Sequence, residues 1–209
     1  MTNSIVILLL CALLSSTSHA STLQNFCKAD LSGPDSPTGY HCVPSENVTA
    51  NDFKYSFNGK PGIPVPSNSL LYPADVNQIP IVNGGGLSAG LVEIAEGGFL
   101  PLHRHGANEI LLVLQGKLNV GLMTPRKAYL NTIGVREFVY FPQGLSHYLI
   151  NSGRGKAVAF AAYSSASPPF NFDHLEKYAS DVPSLIVSRV TFLDDPQVRK
   201  LKARFNGTG

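Results

Sequence analysis

The chain has 209 residues, of which 44% are apolar and 14% are charged. Sixteen Lys and Arg residues against fourteen Asp and Glu residues give a net charge of only +2, which argues against a nucleic-acid-binding protein. The length corresponds to one ordinary domain or two very small ones. Nineteen glycines and fifteen prolines favour many short strands and turns over a helical bundle.

The apolar run near the start of the chain indicates a secretory signal. Residues 5–14 are apolar without interruption, which is too short for a membrane-spanning helix. Ser18 and Ala20 suit a cleavage site, so we predict that residues 1–20 are a signal peptide that is removed after Ala20. A buried strand or a short anchor is the alternative. No later stretch approaches the length of a transmembrane helix, so we expect no transmembrane segment and a secreted mature chain.

Residues 21–66 are rich in turn-forming residues and are predicted to form an extended N-terminal arm. After signal cleavage the chain keeps two cysteines, Cys27 and Cys42. In an oxidising compartment they are expected to form one disulfide, whose loop of about sixteen residues is worth roughly 3 kcal/mol on the chain-entropy model. Two free buried thiols are the alternative. Asn47 and Asn206 each begin an Asn-x-Thr sequon and are candidate glycosylation sites.

Residues 67–165 alternate short apolar segments with turns, which is typical of an all-β sandwich or barrel. Strands are predicted at residues 87–94, 110–114, 117–123, 137–141, 148–150 and 157–163. Residues 166–209 are predicted to be a helical extension. One helix opens at residues 182–183 with Asp181 as its cap, and a second is capped by Asp194 or Asp195 with Pro196 in its first turn. Their apolar stripes need cover from the barrel or from a neighbouring subunit.

Three histidines and one glutamate form a pattern that is typical of a metal site. His103 and His105 share a face of an extended segment, because side chains two residues apart point the same way. Glu109 opens the next strand and can face back toward this pair, and His147 follows another turn. Three imidazoles and a carboxylate suit a divalent cation. The alternative is surface or satisfied core histidines, but an unpaired buried Glu is costly and a cation relieves that cost.

Two motifs around these residues resemble those of a known family. The spacing Gly97-x5-His103-x-His105-x3-Glu109-x6-Gly116 resembles the first cupin motif, and Pro142-x-Gly144-x2-His147-x3-Asn151 resembles the second. From the signal to the helical tail, the chain resembles plant germin-like proteins. It is closest in outline to the subgroup once called auxin-binding germin-like proteins.

This resemblance implies the architecture and the ligands. It implies a jelly-roll cupin β-barrel that holds one manganese ion per subunit through His103, His105, Glu109 and His147. It also implies a Cys27–Cys42 disulfide, an apoplastic location, and assembly into dimers and trimers of dimers, which is a homohexamer. The four ligands by themselves do not choose among manganese, iron, zinc and copper.

The chain departs from the family pattern at three places. The leading Gly of the second motif falls at Arg136, which does not take a positive φ as cheaply as Gly, so we expect that turn to change shape or its loop to be aimed differently. The link at residues 106–108 has three residues where many germins have four, which should tighten the hairpin at the metal. Oxalate oxidase germins resemble one another in two asparagines that contact the substrate, and those positions are Leu100 and Gly90 here.

Three functions remain as hypotheses. The first is a manganese-dependent oxidoreductase that dismutes superoxide to hydrogen peroxide, with oxalate oxidation disfavoured by Leu100 and Gly90. The second is a binder of, or metal-dependent enzyme for, a hydrophobic small molecule such as an auxin-like carboxylate or a specialised metabolite. The third is a non-catalytic cell-wall or storage protein. The apolar residues that would line the pocket of the second, or else form plain core, are Phe99, Leu100, Leu102, Leu111 and Val113.

Overall fold

The computed structural model describes residues 25–65 and 67–209. The predicted signal peptide, residues 1–20, lies outside the described residues. The N-terminal part is mostly loop, with short 3-10 helices at Ser45–Asn47 and Ala50–Phe53, and its two cysteines are bonded to each other. Across the described residues, no helix is both long enough and apolar enough to cross a membrane.

The central part of the chain folds into antiparallel strands. In chain order they are Ile63–Val65 (β1), Ser69–Ala74 (β2), Ser88–Ile94 (β3), Phe99–His105 (β4), Glu109–Gln115 (β5), Lys117–Met123 (β6), Ala128–Gly134 (β7), Phe138–Phe141 (β8), His147–Asn151 (β9), Ala157–Tyr163 (β10) and Phe170–Phe172 (β11). One sheet has the order β1-β2-β3-β10-β5-β8, and the other has the order β11-β4-β9-β6-β7. The predicted all-β class is confirmed.

The core lies between the inner faces of the two sheets. Buried and less buried residues alternate along β3, as expected for a strand with one face on the core. Inward side chains from both sheets, including Ile94, Leu111, Leu118 and Leu149, are each at most 1% exposed and belong to one apolar cluster. The result is a barrel-like double sheet whose interior holds this apolar cluster together with the polar residues described below.

A helical extension follows the last strand, but it begins at Asp173 and not at the predicted residue 166, because residues 170–172 pair with β4 as β11. Its helices are Asp173–Tyr178 (α1), Ser184–Thr191 (α2) and Asp195–Arg204 (α3). The predicted Asp194 cap of α3 is present, because its Oδ1 accepts a hydrogen bond from the Gln197 backbone N–H at 2.8 Å. The predicted Asp181 cap of α2 is wrong, because the helix begins later, at Ser184, with Pro183 in the cap position.

The turn before β8 shows how Arg136 replaces a glycine. Arg136 itself adopts the left-handed conformation, with φ of +69°. Its backbone N–H donates to Val113 at 3.0 Å, and the Glu137 N–H closes the turn onto Gly134 at 3.0 Å. The expected change in the shape of this turn is therefore wrong, because the backbone imposes a conformation that favours glycine on an arginine.

Arg136→Gly is expected to stabilise the protein by about 1 kcal/mol, because it removes the cost of a left-handed non-glycine residue. The matched control is Val135→Gly in the same exposed turn. Val135 has no positive φ, so its replacement by glycine only adds freedom to the unfolded chain and should destabilise. Urea unfolding of both variants measures the effect, and an Arg136→Gly protein no more stable than the parent would contradict it.

Candidate metal centre

The ends of three strands bring the polar cluster together. His103 and His105 lie on β4, and His147 begins β9, the neighbour of β4 in the same sheet. His103 and His147 are direct cross-strand partners. Glu109 begins β5 in the opposite sheet, so its carboxylate meets the imidazoles across the core.

The link between β4 and β5 is held on both sides. The Asn108 side-chain Oδ1 accepts hydrogen bonds from the Tyr140 hydroxyl at 2.8 Å and from the Gln143 N–H at 3.0 Å. A Cβ atom at Gly106 would lie 2.9 Å from Pro169 Cδ, so this position has no room for a larger residue. This three-residue link therefore sets the position of Glu109 against the histidines.

The four side chains converge on one point. One ligand atom from each of His103, His105, Glu109 and His147 lies within 4.8 Å of the other three. All four residues are at most 3% exposed. Glu109 Oε2 is 3.1 Å from the Nε2 atoms of both His105 and His147. These four are the residues that the sequence spacing predicted as ligands.

Backbone carbonyls fix the tautomers of two of the histidines. His103 Nδ1 is 2.7 Å from the Pro101 carbonyl, and His147 Nδ1 is 2.9 Å from the Leu145 carbonyl. Because a carbonyl only accepts, each Nδ1 carries the proton and each Nε2 presents a lone pair to the cluster. Aromatic rings stack on the faces of these imidazoles. The ring centroids of Phe170 and His103 are 4.7 Å apart, and those of Phe141 and His147 are 4.0 Å apart.

The cluster fits a divalent cation better than it fits an empty core. Within the described residues, neither ring nitrogen of His105 makes a hydrogen bond, although both are buried. Burial, followed by the repulsion that the His147 and His105 imidazoles would exert if protonated, lowers the pKa of His103 to about 3. Burial would raise the pKa of Glu109, but the imidazoles of His105 and His147 outweigh it and hold that pKa low, at about 2. Imidazole nitrogens and a carboxylate oxygen are the donor set that Zn²⁺ and first-row transition metals use.

The metal-free protein is expected to lose stability as the pH falls from about 6.5 toward 3. The unfolded chain binds a proton at His103 near its ordinary pKa of about 6.5, whereas the folded chain resists protonation down to about pH 3. The unfolded state therefore binds more protons over this pH range, so a lower pH favours unfolding. Urea unfolding of metal-free protein at several pH values measures this, and His103→Gln should flatten the profile. His41→Gln, at an exposed histidine, is the control, and a parent profile that is flat below pH 6.5 would contradict the expectation.

An apolar cavity of about 260 Å³ opens beside His103 and Glu109. Of the predicted pocket residues, Leu100 and Leu111 line it, together with Gly90. A shift in register between β4 and β9 turns Leu100 inward, although strict alternation from His103 would turn it out.

The other predicted pocket residues lie elsewhere, so their assignment to this cavity is wrong. Phe99 is 45% exposed and lines a separate cleft beside Phe172 and Phe205, because the same register shift turns it away. Leu102 is next to His103 in β4, so its side chain points to the other face of the strand and away from the cavity. Val113 is buried one inward position beyond Leu111 and belongs to the core.

Sequence reasoning missed two residues at the cavity. Tyr163, the last residue of β10, and Phe170 of β11 both line it. The Tyr163 ring lies 4.9 Å from the His105 ring. Burial, followed by the negative charge of Glu109, raises the pKa of Tyr163 well above its ordinary value, so its phenol is protonated. The signal that could have found Tyr163 is its position opposite Glu109 in the pairing of β10 with β5.

Arg104, between the two β4 histidines, faces away from the cluster as strand alternation predicts. It forms ion pairs with Asp173 and Glu176 of α1. The Ser146 hydroxyl, next to His147, donates to the same Asp173 at 2.7 Å. These contacts fasten the helical extension to the outside of the two strands that carry the histidines.

The comparisons with known proteins agree with this geometry. The cupin family model matches residues 57–199. Germin-like protein subfamily 3 member 3 of Arabidopsis thaliana is 41% identical over 209 residues, covering 98% of each chain. The chain belongs to the cupin family and is a germin-like protein. An auxin-binding protein of Prunus persica is 40% identical to this chain over 204 residues, which cover 94% of this chain and 95% of the relative.

A solved relative extends the likeness to the fold. The structure of an oxalate oxidase in complex with the substrate analogue glycolate superposes on this germin-like protein with a TM-score of 0.81. The two are 30% identical, and the match covers 88% of this chain and 96% of the other. The predicted cupin fold is thus confirmed. The four residues of the converging cluster lie on β4, β5 and β9, within the residues that the cupin family model matches.

Proposed function

We propose that this germin-like protein holds one manganese ion per subunit at His103, His105, Glu109 and His147, and that it dismutes superoxide to hydrogen peroxide. The observation that carries the proposal is the convergence of these four buried ligand atoms at the edge of a cavity. Manganese, when bound, would supply one-electron redox chemistry, in which one superoxide is oxidised to dioxygen and a second is reduced and takes up two protons from water to give hydrogen peroxide.

The residues around the centre support this chemistry in three ways. The two carbonyl-anchored imidazoles keep their Nε2 lone pairs directed at one point without rearrangement. Glu109 contributes a negative charge that balances part of the cation's charge. Leu100, Leu111 and Leu149 keep water away from the inner side of the cavity. A small singly charged anion needs only an open position on the metal and tolerates such walls.

Oxalate is a poorer fit to this cavity. It is a dianion, and the metal neutralises only one of its carboxylates. The second carboxylate needs hydrogen-bond donors, and the loss of each donor in a desolvated site costs roughly 1–3 kcal/mol. At the two positions where oxalate oxidase germins place amides, this chain has Leu100 and Gly90, and both line the cavity without a side-chain donor.

The manganese-loaded protein is therefore expected to dismute superoxide measurably and to oxidise oxalate poorly or not at all. The test is to assay both substrates side by side on one preparation, with metal-free protein as the control. Robust peroxide production from oxalate would contradict the proposal. Failure with both substrates would contradict it as well, and would favour the second candidate.

The second candidate is a binder of, or enzyme for, a hydrophobic small molecule. The composition of the cavity wall favours it, because aliphatic and aromatic side chains from both sheets form most of the wall. The auxin-binding name of the Prunus persica relatives points in the same direction. A metabolite soak followed by mass spectrometry of the retained compound tests it.

We also propose that the protein is secreted to the apoplast and forms dimers that assemble into hexamers. The disulfide suits an oxidising compartment, and the candidate glycan sites Asn47 and Asn206 are both exposed. Leu185, Ile186 and Val190 of α2 are 50–69% exposed, so this apolar face needs cover from a second copy. Sedimentation velocity tests the assembly, and a monomer would contradict it.

A further inference from the structure

The cavity wall carries few polar side chains besides the proposed ligands. Over the described residues, the other lining side chains with a polar atom are Tyr72 and Tyr163. The Tyr72 hydroxyl donates to Glu93 Oε2 at 3.4 Å, and Lys156 pairs with the same carboxylate at 3.0 Å. The hydroxyl of Tyr72 is thus engaged on the far side of β3, whereas the hydroxyl of Tyr163 faces the Glu109 carboxylate of the cluster and is the other donor on the wall.

Tyr163 stands at the level of the proposed ligands. It is the cross-strand partner of Glu109 in the β10–β5 pairing, and its ring centroid is 4.9 Å from that of His105. Its hydroxyl faces the Glu109 carboxylate and so lies beside the point on which the ligand atoms converge. From there an O–H group reaches an oxygen bound next to the metal, but not the far end of an elongated ligand.

The residue at position 90 makes room for this phenol. A Cβ atom at Gly90 would lie 3.7 Å from Tyr163 Cε2 and 4.0 Å from its hydroxyl oxygen. A Cβ atom at position 90 would thus be in van der Waals contact with the tyrosine ring, and a longer side chain there would have to share this space with it. An amide side chain at position 90 and the phenol of Tyr163 would occupy the same part of the cavity wall, and this chain has the phenol.

We propose that Tyr163 is the ligand-binding residue that sets the specificity of this cavity: its O–H donates to an oxygen of a small monoanion, such as a monocarboxylate, held at the four-residue centre. The inference rests on the proposed metal centre and names the class of anion that it takes. The metal and Tyr163 together would bind the single charged group of a monoanion. The second carboxylate of a dianion would face Leu100, which offers no donor.

The test uses manganese-loaded full-length protein and acetate as the probe. Acetate affinity is measured by calorimetry for the parent, for Tyr163→Phe, and for Tyr72→Phe as the matched control in the same cavity. Tyr163→Phe should weaken acetate binding about tenfold, because a hydrogen bond to a charged group is lost. It should keep its manganese content and its unfolding midpoint, and Tyr72→Phe should bind acetate like the parent.

Three outcomes would overturn the proposal. The first is equal acetate affinity in the parent and Tyr163→Phe, and the second is an equal loss of affinity in Tyr72→Phe. The third is loss of manganese from Tyr163→Phe, because it would mean that Tyr163 acts through Glu109. A parent that holds manganese but binds no acetate would overturn this proposal alone. A parent that takes up no manganese would overturn the proposed function together with it, so the two failures are distinguishable.

Discussion

His105→Ala is expected to abolish manganese retention, with affinity falling on the order of 100-fold or more, because loss of an outer-shell partner alone already costs 10–100-fold. His105 lies on β4 with both ring nitrogens buried, and within the described residues neither nitrogen makes a hydrogen bond. Its Nε2 is 3.1 Å from Glu109 Oε2. Removal of this imidazole leaves three ligands, one of which is the Glu109 carboxylate, and that carboxylate has lost one of its two imidazole neighbours. Elemental analysis after dialysis against a weak chelator measures the effect.

The matched control for this variant is His41→Ala. His41 is exposed in the N-terminal arm and does not belong to the converging cluster. Its variant should keep the full metal content of the parent. Unchanged manganese in His105→Ala, with circular dichroism like that of the parent, would refute the ligand assignment.

Cys27→Ser is expected to lower the free energy of unfolding by about 3 kcal/mol. The intact disulfide closes a short loop and so restricts the unfolded chain, and the variant loses this restriction. The two cysteines are bonded and 15 residues apart, and Ala29 pairs with Cys42 across the same loop. Neither cysteine lines the cavity at the metal centre. Metal affinity should therefore change much less than stability, and urea unfolding together with metal titration separates the two.

A reductant provides the control for the disulfide. Dithiothreitol should lower the stability of the parent to that of Cys27→Ser and leave the variant unchanged. Two reactive thiols in unfolded, unreduced protein would contradict the disulfide. So would a variant as stable as the oxidised parent.

Strands could be predicted from the sequence where one face is buried. The predictions for residues 117–123 and 157–163 match β6 and β10 at both ends. β7 was not predicted, because it is an edge strand in which only Ile133 is buried, so its residues show no alternation. β2 was not predicted either, since Pro73 interrupts its apolar pattern and is tolerated there by long-range pairing with β3.

The ligand set was predictable because its geometry is mostly local. His103 and His105 share a face by strand periodicity, and a three-residue link fixes Glu109. The cavity was less predictable, because the register shift between β4 and β9 decides whether Leu100 or Phe99 faces inward. Tyr163 reaches the centre only through the pairing of β10 with β5, a contact between residues far apart in sequence.

Anomalous diffraction at the manganese absorption edge, from crystals of protein purified without added metal, tests the metal centre most directly. The four buried ligand atoms that lie within 4.8 Å of one another predict one peak per subunit, enclosed by the three Nε2 atoms and the Glu109 carboxylate. A peak at any other place in the subunit, or no peak between these residues, would contradict the account.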